Sequence, residues 1–451
     1  MKVSTSNREA LLVSLIMLLS FAPTLTFSQN FQRLYGTGLD NSFSKVIKVG
    51  SNYYVLGQDE FTDGTPPSAT VTRLDANGVH QWTLSLDISS VWNDATLTPS
   101  GDLLVVGSTL PFDATSKSLM GLVTPNGGGG FTWVRTYDVP GREGNTRIVL
   151  SPSPQNPAFP YYVLGSQFDP NGNAIWDDVI LMNINESGTF NWKKIFPSID
   201  DDEFARNLDV MPNGDLILSG NKGNLGVILG IDNSGTLLAG AAPDAIQFSY
   251  ADITPISGGG FYAVGGTFPA FTAHLIKYDA NLLEIWNSTI SGLTSVSQVW
   301  EESSSGVIYV VGSGVFNGVS RGVVLLFAVF GQTPILQWVK FLDNNESSYV
   351  GGSITLLSAN EFAFVDGRSP TSGGFGQQDA LMSVNDLQMT TCITDEDLVN
   401  VNSVTQTYIA PFLEDIEFFD FPTGTDIVSS ALNWQQEDVC NNSPCNADFI
   451  I

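Results

Sequence analysis

The chain has 451 residues, with 46 acids against 18 Lys plus Arg and a formal net charge of −28. Phosphate binding needs clustered basic residues, so this balance argues against nucleic acid and against an anionic membrane surface as partners. With 44 Gly, 22 Pro, 11% aromatic and only 14% charged residues, the composition describes many short strands joined by tight turns and excludes disorder over most of the length.

Residues 1–28 read as an export signal: Lys2 and Arg8, then the apolar stretch Ala10 to Phe21, then Thr26-Phe27-Ser28 as an imperfect small-residue cleavage site. Ser14 and Ser20 interrupt the apolar stretch and Pro23 follows it, leaving it short of the ~20 apolar residues a span requires. The expectation is a secreted or cell-surface protein with no membrane insertion once the signal is removed.

From residue 29 to residue 395 one unit recurs. A short strand ends in glycine at Gly57, Gly107, Gly165, Gly220, Gly265, Gly312 and Gly367, at spacings of 45 to 58 residues, close to the length of a four-stranded propeller blade. Beyond each glycine come a variable loop, an alternating strand, a turn such as Asp75-Ala76-Asn77-Gly78, and a further strand that usually opens with Trp: Trp82, Trp133, Trp192, Trp286 and Trp338, with the fourth copy lacking it near Leu238. Asn-Gly supplies the positive φ angles of a tight hairpin. Turns such as Pro99-Ser100-Gly101-Asp102 and Pro212-Asn213-Gly214-Asp215 separate the glycine strand from one more strand upstream. The Trp reads as packing between units, as large aromatics are usually buried.

The last unit, at Leu381 to Asp386, lacks a Trp strand, whereas Phe31-Gln32-Arg33-Leu34-Tyr35 near the start matches Trp133-Val134-Arg135-Thr136-Tyr137 in its aromatic, its basic third residue and its Tyr. Pairing that segment with the last unit would close a ring and remove its open edge. The expected fold is therefore all-β: a seven-bladed β-propeller of four-stranded blades over 29–395, with a short acidic C-terminal appendage over 396–451. That tail carries ten acids and no basic residue, yet holds Phe412, Phe418, Phe419, Phe421 and Trp434, which suits a partly ordered appendage or the start of a further domain.

The alternation of "Leu-Asp-x-x-Gly-x-x-x-Trp" units with "Val-x-Gly" strands resembles the secreted propeller-repeat proteins of Bacteroidetes-type bacteria. The resemblance covers about Phe31 to Asp395 and implies a propeller and an exported location, with no catalytic residue carried over. The basic C-terminal sorting region frequent in such proteins has no counterpart after Arg368.

Catalytic signals are sparse. Only His80 and His274 are present, and no nucleophile elbow, zinc-protease motif or phosphate loop occurs. Quinone-dependent and sialidase-type propellers match poorly: adjacent cysteines are missing, and Gly78 to Trp82 and Gly188 to Trp192 are four residues apart where the sialidase box has three. The three cysteines, Cys392, Cys440 and Cys445, all fall in the last sixty residues.

Acids gather instead in the long loops. Asp169, Asn171, Asn173 and Asp177 form an Asx-rich stretch, and Asp200, Asp201, Asp202 and Glu203 lie between units, with Asp59, Glu60, Asp63, Asp87, Asp94, Asp113, Asp138 and Glu143 in comparable places. If the first strand of each unit is innermost, these loops share one face. No cofactor motif is present, and a divalent cation that such oxygens suit is Ca²⁺. The expected function is an exported, non-catalytic binding or scaffold propeller that takes an unknown glycan, protein or cation on that acidic face. The alternatives are an extracellular propeller enzyme, hydrolase or quinone-dependent, and a purely structural surface component.

Overall fold

Strands that are apolar on both sides must be covered on both sides, and here neighbouring sheets do the covering. The computed structural model describes residues 31–441 apart from 37–40, 62–64, 111–115, 126–128, 138–142, 155, 169–176, 197–202, 244–246, 304, 317–318, 331–332, 343–352, 359–360, 369–378, 387–392 and the intervals between the later strands. After β1 (Phe31–Gly36), the strands β2 (Asn41–Val49), β3 (Asn52–Phe61), β4 (Thr65–Leu74) and the first half of β5 (His80–Leu97) form an antiparallel meander. From Ser90 onward β5 belongs to the next meander, with β6 (Leu103–Thr109), β7 (Ser118–Thr124) and β8 (Gly130–Tyr137).

The pattern then repeats: β9 (Glu143–Leu150), β10 (Tyr161–Phe168), β11 (Asp177–Ile184) and β12 (Phe190–Phe196); β13 (Glu203–Val210), β14 (Leu216–Lys222), β15 (Leu225–Ile231) and β16 (Leu237–Pro243). Next come β17 (Phe248–Pro255), β18 (Phe261–Thr267), β19 (Thr272–Tyr278) and β20 (Glu284–Ile290); then β21 (Ser295–Glu302), β22 (Val307–Phe316), β23 (Val319–Phe330) and β24 (Thr333–Leu342). The last meander is β25 (Ser353–Ser358), β26 (Glu361–Arg368) and β27 (Asp379–Asp386), and β1 supplies its fourth strand.

The first strand of each meander lies against the first strand of the next: β2, β5, β9, β13, β17, β21 and β25 follow one another, and β25 returns to β2. This cyclic order of antiparallel four-stranded sheets is that of a β-propeller. Apolar clusters fill the spaces between adjacent sheets. One joins Tyr54, Leu56 and Val71 to Trp92, Leu103 and Val105. Another joins Tyr162, Leu164 and Leu181 to Leu208, Leu216 and Leu218. The Trp residues belong to the same layers, with Trp286 buried and Trp133 and Trp192 packed at the margins.

The recurring glycine has a steric cause. Six of the seven inner strands carry a β-bulge opposite it, between Phe43 and Lys45, Trp92 and Asp94, Asn145 and Arg147, Ala205 and Asn207, Tyr250 and Asp252, and Val296 and Gln298; the described part of β25 ends short of Gly367. The bulge pushes a backbone carbonyl into the space a side chain would need. A Cβ on Gly107 would sit 1.9 Å from the Val91 oxygen, one on Gly57 2.3 Å from that of Ser42, and one on Gly312 2.3 Å from that of Ser295.

The hairpins between third and fourth strands are held by side-chain capping. Asp75 Oδ1 accepts from the N–H groups of Asn77 (2.8 Å) and Val79 (2.9 Å), and Asn185, Asp232 and Asp279 repeat the arrangement. The left-handed position three residues on is Gly78, Gly188 or Gly235, but Leu282 (φ 64°) in the fourth, where its buried side chain joins an apolar cluster.

β1 reproduces a Trp strand closely. The Phe31 ring packs on Gly78 as the Trp133 ring packs on Gly188, and Arg33 lies over Phe31 as Arg135 lies over Trp133. Tyr35 Oη donates to the Gly78 carbonyl (2.6 Å) as Tyr137 Oη does to that of Gly188 (2.9 Å). β1 is not the outermost strand of its sheet, however, because tail strands lie beyond the fourth strands. β28 (Ile393–Asp395) pairs with β24, β29 (Val401–Val404) with β20, β30 (Tyr408–Ile409) with β16, and β31 (Ile416–Phe418) with β12. β32 (Thr425–Asp426) pairs with β8, β33 (Ser429–Leu432) with β5, and β34 (Gln435–Asn441) with β1.

If the glycine answers to the bulge, Gly107→Ala should cost about 3 kcal/mol or more in urea unfolding. Gly130→Ala, where nothing lies within 4 Å of the new Cβ, should stay within about 0.5 kcal/mol of the parent. Equal costs at the two positions would refute the steric account.

Candidate functional site

The bulge also decides which side chains enter the channel. The residue just past it, paired with the one before the repeat glycine, is Lys45, Asp94, Arg147, Asn207, Asp252 or Gln298 in successive sheets. All six are polar, although they lie on the inner strands of an apolar fold. Two residues on, Val149, Asp209, Thr254 and Trp300 contribute a second level, and Thr355 of β25 joins them around a cavity of about 370 Å³.

Arg147 is the hub of the first level. Its Nη2 lies 3.2 Å from Asp252 Oδ1 and its Nη1 3.9 Å from Asp94 Oδ2, while its Nε donates to Asn207 Oδ1 at 2.6 Å. Asp94 Oδ1 takes Lys45 Nζ at 2.9 Å, and Asp94 Oδ2 accepts the Ile148 N–H at 3.0 Å. Asp252 Oδ2 accepts the Val299 N–H at 2.9 Å, and Asn207 Nδ2 donates to the Ala251 carbonyl. The network thus ties together side chains of five sheets and backbone groups of the neighbouring inner strands. Buried charges are stable only when paired and hydrogen-bonded in this way.

The proton affinities follow from these contacts. Burial works against the charged form of Asp94, but Lys45, Arg147 and the Ile148 N–H outweigh it and hold the carboxyl below its ordinary range. Burial likewise opposes the Arg147 charge, and Asp94, Asp252 and Asp209 together hold its pKa above the ordinary value. Asp252 is raised by burial, which Arg147 and the Val299 N–H offset only in part. Burial pushes Asp209 up to about 6; Asp252 adds to the rise, and the Val210 N–H, at 2.8 Å, moderates it. Trp300 stacks on Tyr309, with centroids 4.8 Å apart and planes inclined at 14°.

Both histidines are structural. His274 is buried, with Nδ1 3.0 Å from Asn287 Oδ1 and its ring against Phe248, and His80 Nε2 lies 3.0 Å from Thr83 Oγ1. Burial lowers the pKa of each. Among the described residues no group of three or more His, Cys, Asp or Glu is placed to hold a metal ion.

The acids singled out in the loops fare differently. Asp169, Asn171, Asn173, Asp200, Asp201 and Asp202 lie outside the described residues. Asp177 and Glu203 are strand-end positions, in register with Phe168 and Lys222, and their side chains are not among those described. Asp94 is no loop acid but a buried channel residue, because the long β5 continues through it. Asp59 is buried too, accepting a hydrogen bond from Asn41 Nδ2. The sequence reading passed over Lys45, Arg147, Asn207, Asp209, Asp252, Gln298 and Trp300. Aligning the repeats on the glycine would have exposed a signal, since Lys45, Asp94, Asn207, Asp252 and Gln298 precede it by 12 to 14 residues. Arg147 precedes it by 18, across an insertion.

No family model matches the chain, and no curated protein matches it in sequence. Among solved structures, it is similar to a protein from Lactobacillus plantarum (TM-score 0.37, 12% identity, covering 82% of this chain and 100% of that one). It is also similar to a Bacteroides caccae protein of unknown function (TM-score 0.36, 10% identity, 83% and 99% covered). A third is the α-L-arabinanase of Penicillium chrysogenum, solved with arabinobiose (TM-score 0.43, 12% identity, 80% and 98% covered). Likeness this distant transfers no activity.

The Asp209 shift has a sign that can be tested. With a folded value of about 6 against an ordinary 3.8, the folded state binds the extra proton. The associated stability is present at pH below the ordinary value and is lost as pH rises through about 6. Asp209→Asn should therefore be more stable than the parent at pH 7.5 by about 2 kcal/mol and should lose that advantage towards pH 4, measured by urea unfolding. Parallel pH profiles would show that Asp209 is not buried against its charge.

Proposed function

We propose that this chain is an exported, non-catalytic binding protein, a seven-bladed propeller that seats a compact, uncharged, hydroxyl-rich ligand in its channel. The observation that carries the reading is the cavity beside the Arg147 cluster, with its cations already paired. An anionic ligand would have to displace Asp94 or Asp252 from Arg147, exposing a buried carboxylate. A neutral polyol or sugar can instead share the donors and acceptors that the network leaves at its surface. Thr254, Thr355 and Asp209 supply them, and Trp300 offers an apolar wall, in a cavity at the small end of the range of about 300 to 1,000 Å³ typical of ligand pockets.

Binding is favoured over hydrolysis by the state of the carboxylates. A two-carboxyl mechanism needs, beside Asp209, a second carboxylate with an oxygen open to the substrate or its water. Both oxygens of Asp94 are engaged by Lys45 and the Ile148 N–H, and both oxygens of Asp252 by Arg147 and the Val299 N–H. Export rests on the signal-like residues 1–28. The cavity residues Val149, Asp209, Thr254 and Trp300 stand one or two places from the ends of their inner strands, towards the turns that lead into the second strands.

Saturation-transfer NMR with a panel of neutral monosaccharides and polyols, alkylammonium ions and carboxylates tests this reading. Neutral members should bind, and Trp300→Ala and Asp209→Asn should each weaken them about tenfold, the size expected for losing one good contact of about 1.4 kcal/mol. Binding confined to carboxylates, or unaffected by either substitution, would contradict it.

A further inference from the structure

The tail strands meet the ring in an order the repeat does not require. They add to β24, β20, β16, β12, β8, β5 and β1 in turn, so the segment from Ile393 to Asn441 travels backwards past every sheet and ends on the strand that begins the described chain. Several contacts are only two to four residues long. Contacts so short do not fix a register by backbone bonding alone.

The register is legible in the residue types. In the fourth strand of a unit, the position two beyond the aromatic is Arg33, Leu84, Arg135, Lys194, Ser288 or Lys340. Opposite these the tail places Asp438, Ala431, Asp426, Glu417, Ser403 and Asp395 respectively. Each base meets an acid, the leucine meets an alanine, and the serine meets a serine. Directly opposed residues of an antiparallel pair are the unit of sheet stabilisation, and these are the matched kinds. The tail has ten acids and no base from Glu396 onward, so its charge complements the four basic positions on the outer strands.

We propose that the outer edge of the ring is a strand-addition surface whose partner is the chain's own segment 393–441, with the residue two past each aromatic setting the register. The segment is a belt. It covers the edge backbone of every sheet and, through β34 on β1, fastens the strand that closes the ring. Because four register positions set a basic residue opposite an acidic one, the belt loosens with salt.

Hydrogen–deuterium exchange on the full-length chain tests the proposal. Reversing the acids in register (Asp395→Lys, Glu417→Lys, Asp426→Lys and Asp438→Lys together) should speed exchange of the tail amides at least tenfold while β6 stays protected. Reversing four others, Asp397→Lys, Asp415→Lys, Asp420→Lys and Asp448→Lys, makes the same change in net charge and should leave tail exchange within twofold of the parent. Molar salt should shift the parent towards the first variant. Equal effects of the two sets would overturn the register code. A parent tail that exchanges like an unfolded peptide would overturn the belt. Tail protection that grows with protein concentration, together with dimer on sizing, would place the segment on a second copy and overturn the assignment to its own ring.

Discussion

One steric constraint organises this protein: the inner-strand bulge that drives a backbone carbonyl against the second strand. It permits only glycine opposite, which is why the sequence repeats a short apolar run ending in Gly. It also resets the alternation of the inner strand, so that the residue just past it faces the channel although its neighbours pack between sheets. Core and site are two consequences of the same local distortion. The six channel residues are polar because a propeller axis is the one interior region that no sheet covers.

The channel cluster converts that geometry into a demand on the whole ring. Arg147 takes partners from β5, β13 and β17, so its charge is tolerable only when sheets far apart in sequence are correctly placed around the axis. A misplaced sheet would leave a buried carboxylate or guanidinium unpaired, at a cost of several kcal/mol. Specificity for one closed arrangement follows from the penalty for any other. The ligand reading depends on this closure as well, since a network whose cations are already paired offers no spare positive charge to an anion.

Legibility from sequence tracked the length over which a pattern holds. The glycine strands, the Asx-capped hairpins and the likeness of Phe31-Gln32-Arg33-Leu34-Tyr35 to Trp133-Val134-Arg135-Thr136-Tyr137 rest on local residues, and each has its counterpart in the structure. The channel residues were hidden because the bulge breaks the period-two pattern and loop insertions shift their distance from the glycine. Asp94 drew notice only as an acid between repeats, because the continuity of β5 through two sheets is not visible in residue types. The tail strands are too short for any periodicity, and the pairing of their residue types with the fourth strands emerges only once register is known.

The central claim is that residues far apart in the chain form one charged network across the axis. A double-mutant cycle between Arg147→Met and Asp252→Asn, read by urea unfolding at neutral pH, measures this directly. The two residues are 105 positions apart in sequence and 3.2 Å apart in space. A coupling energy of about 1 kcal/mol or more is the expected result. Additive effects would mean that the ring does not bring them together, and the account of both fold and site would fail.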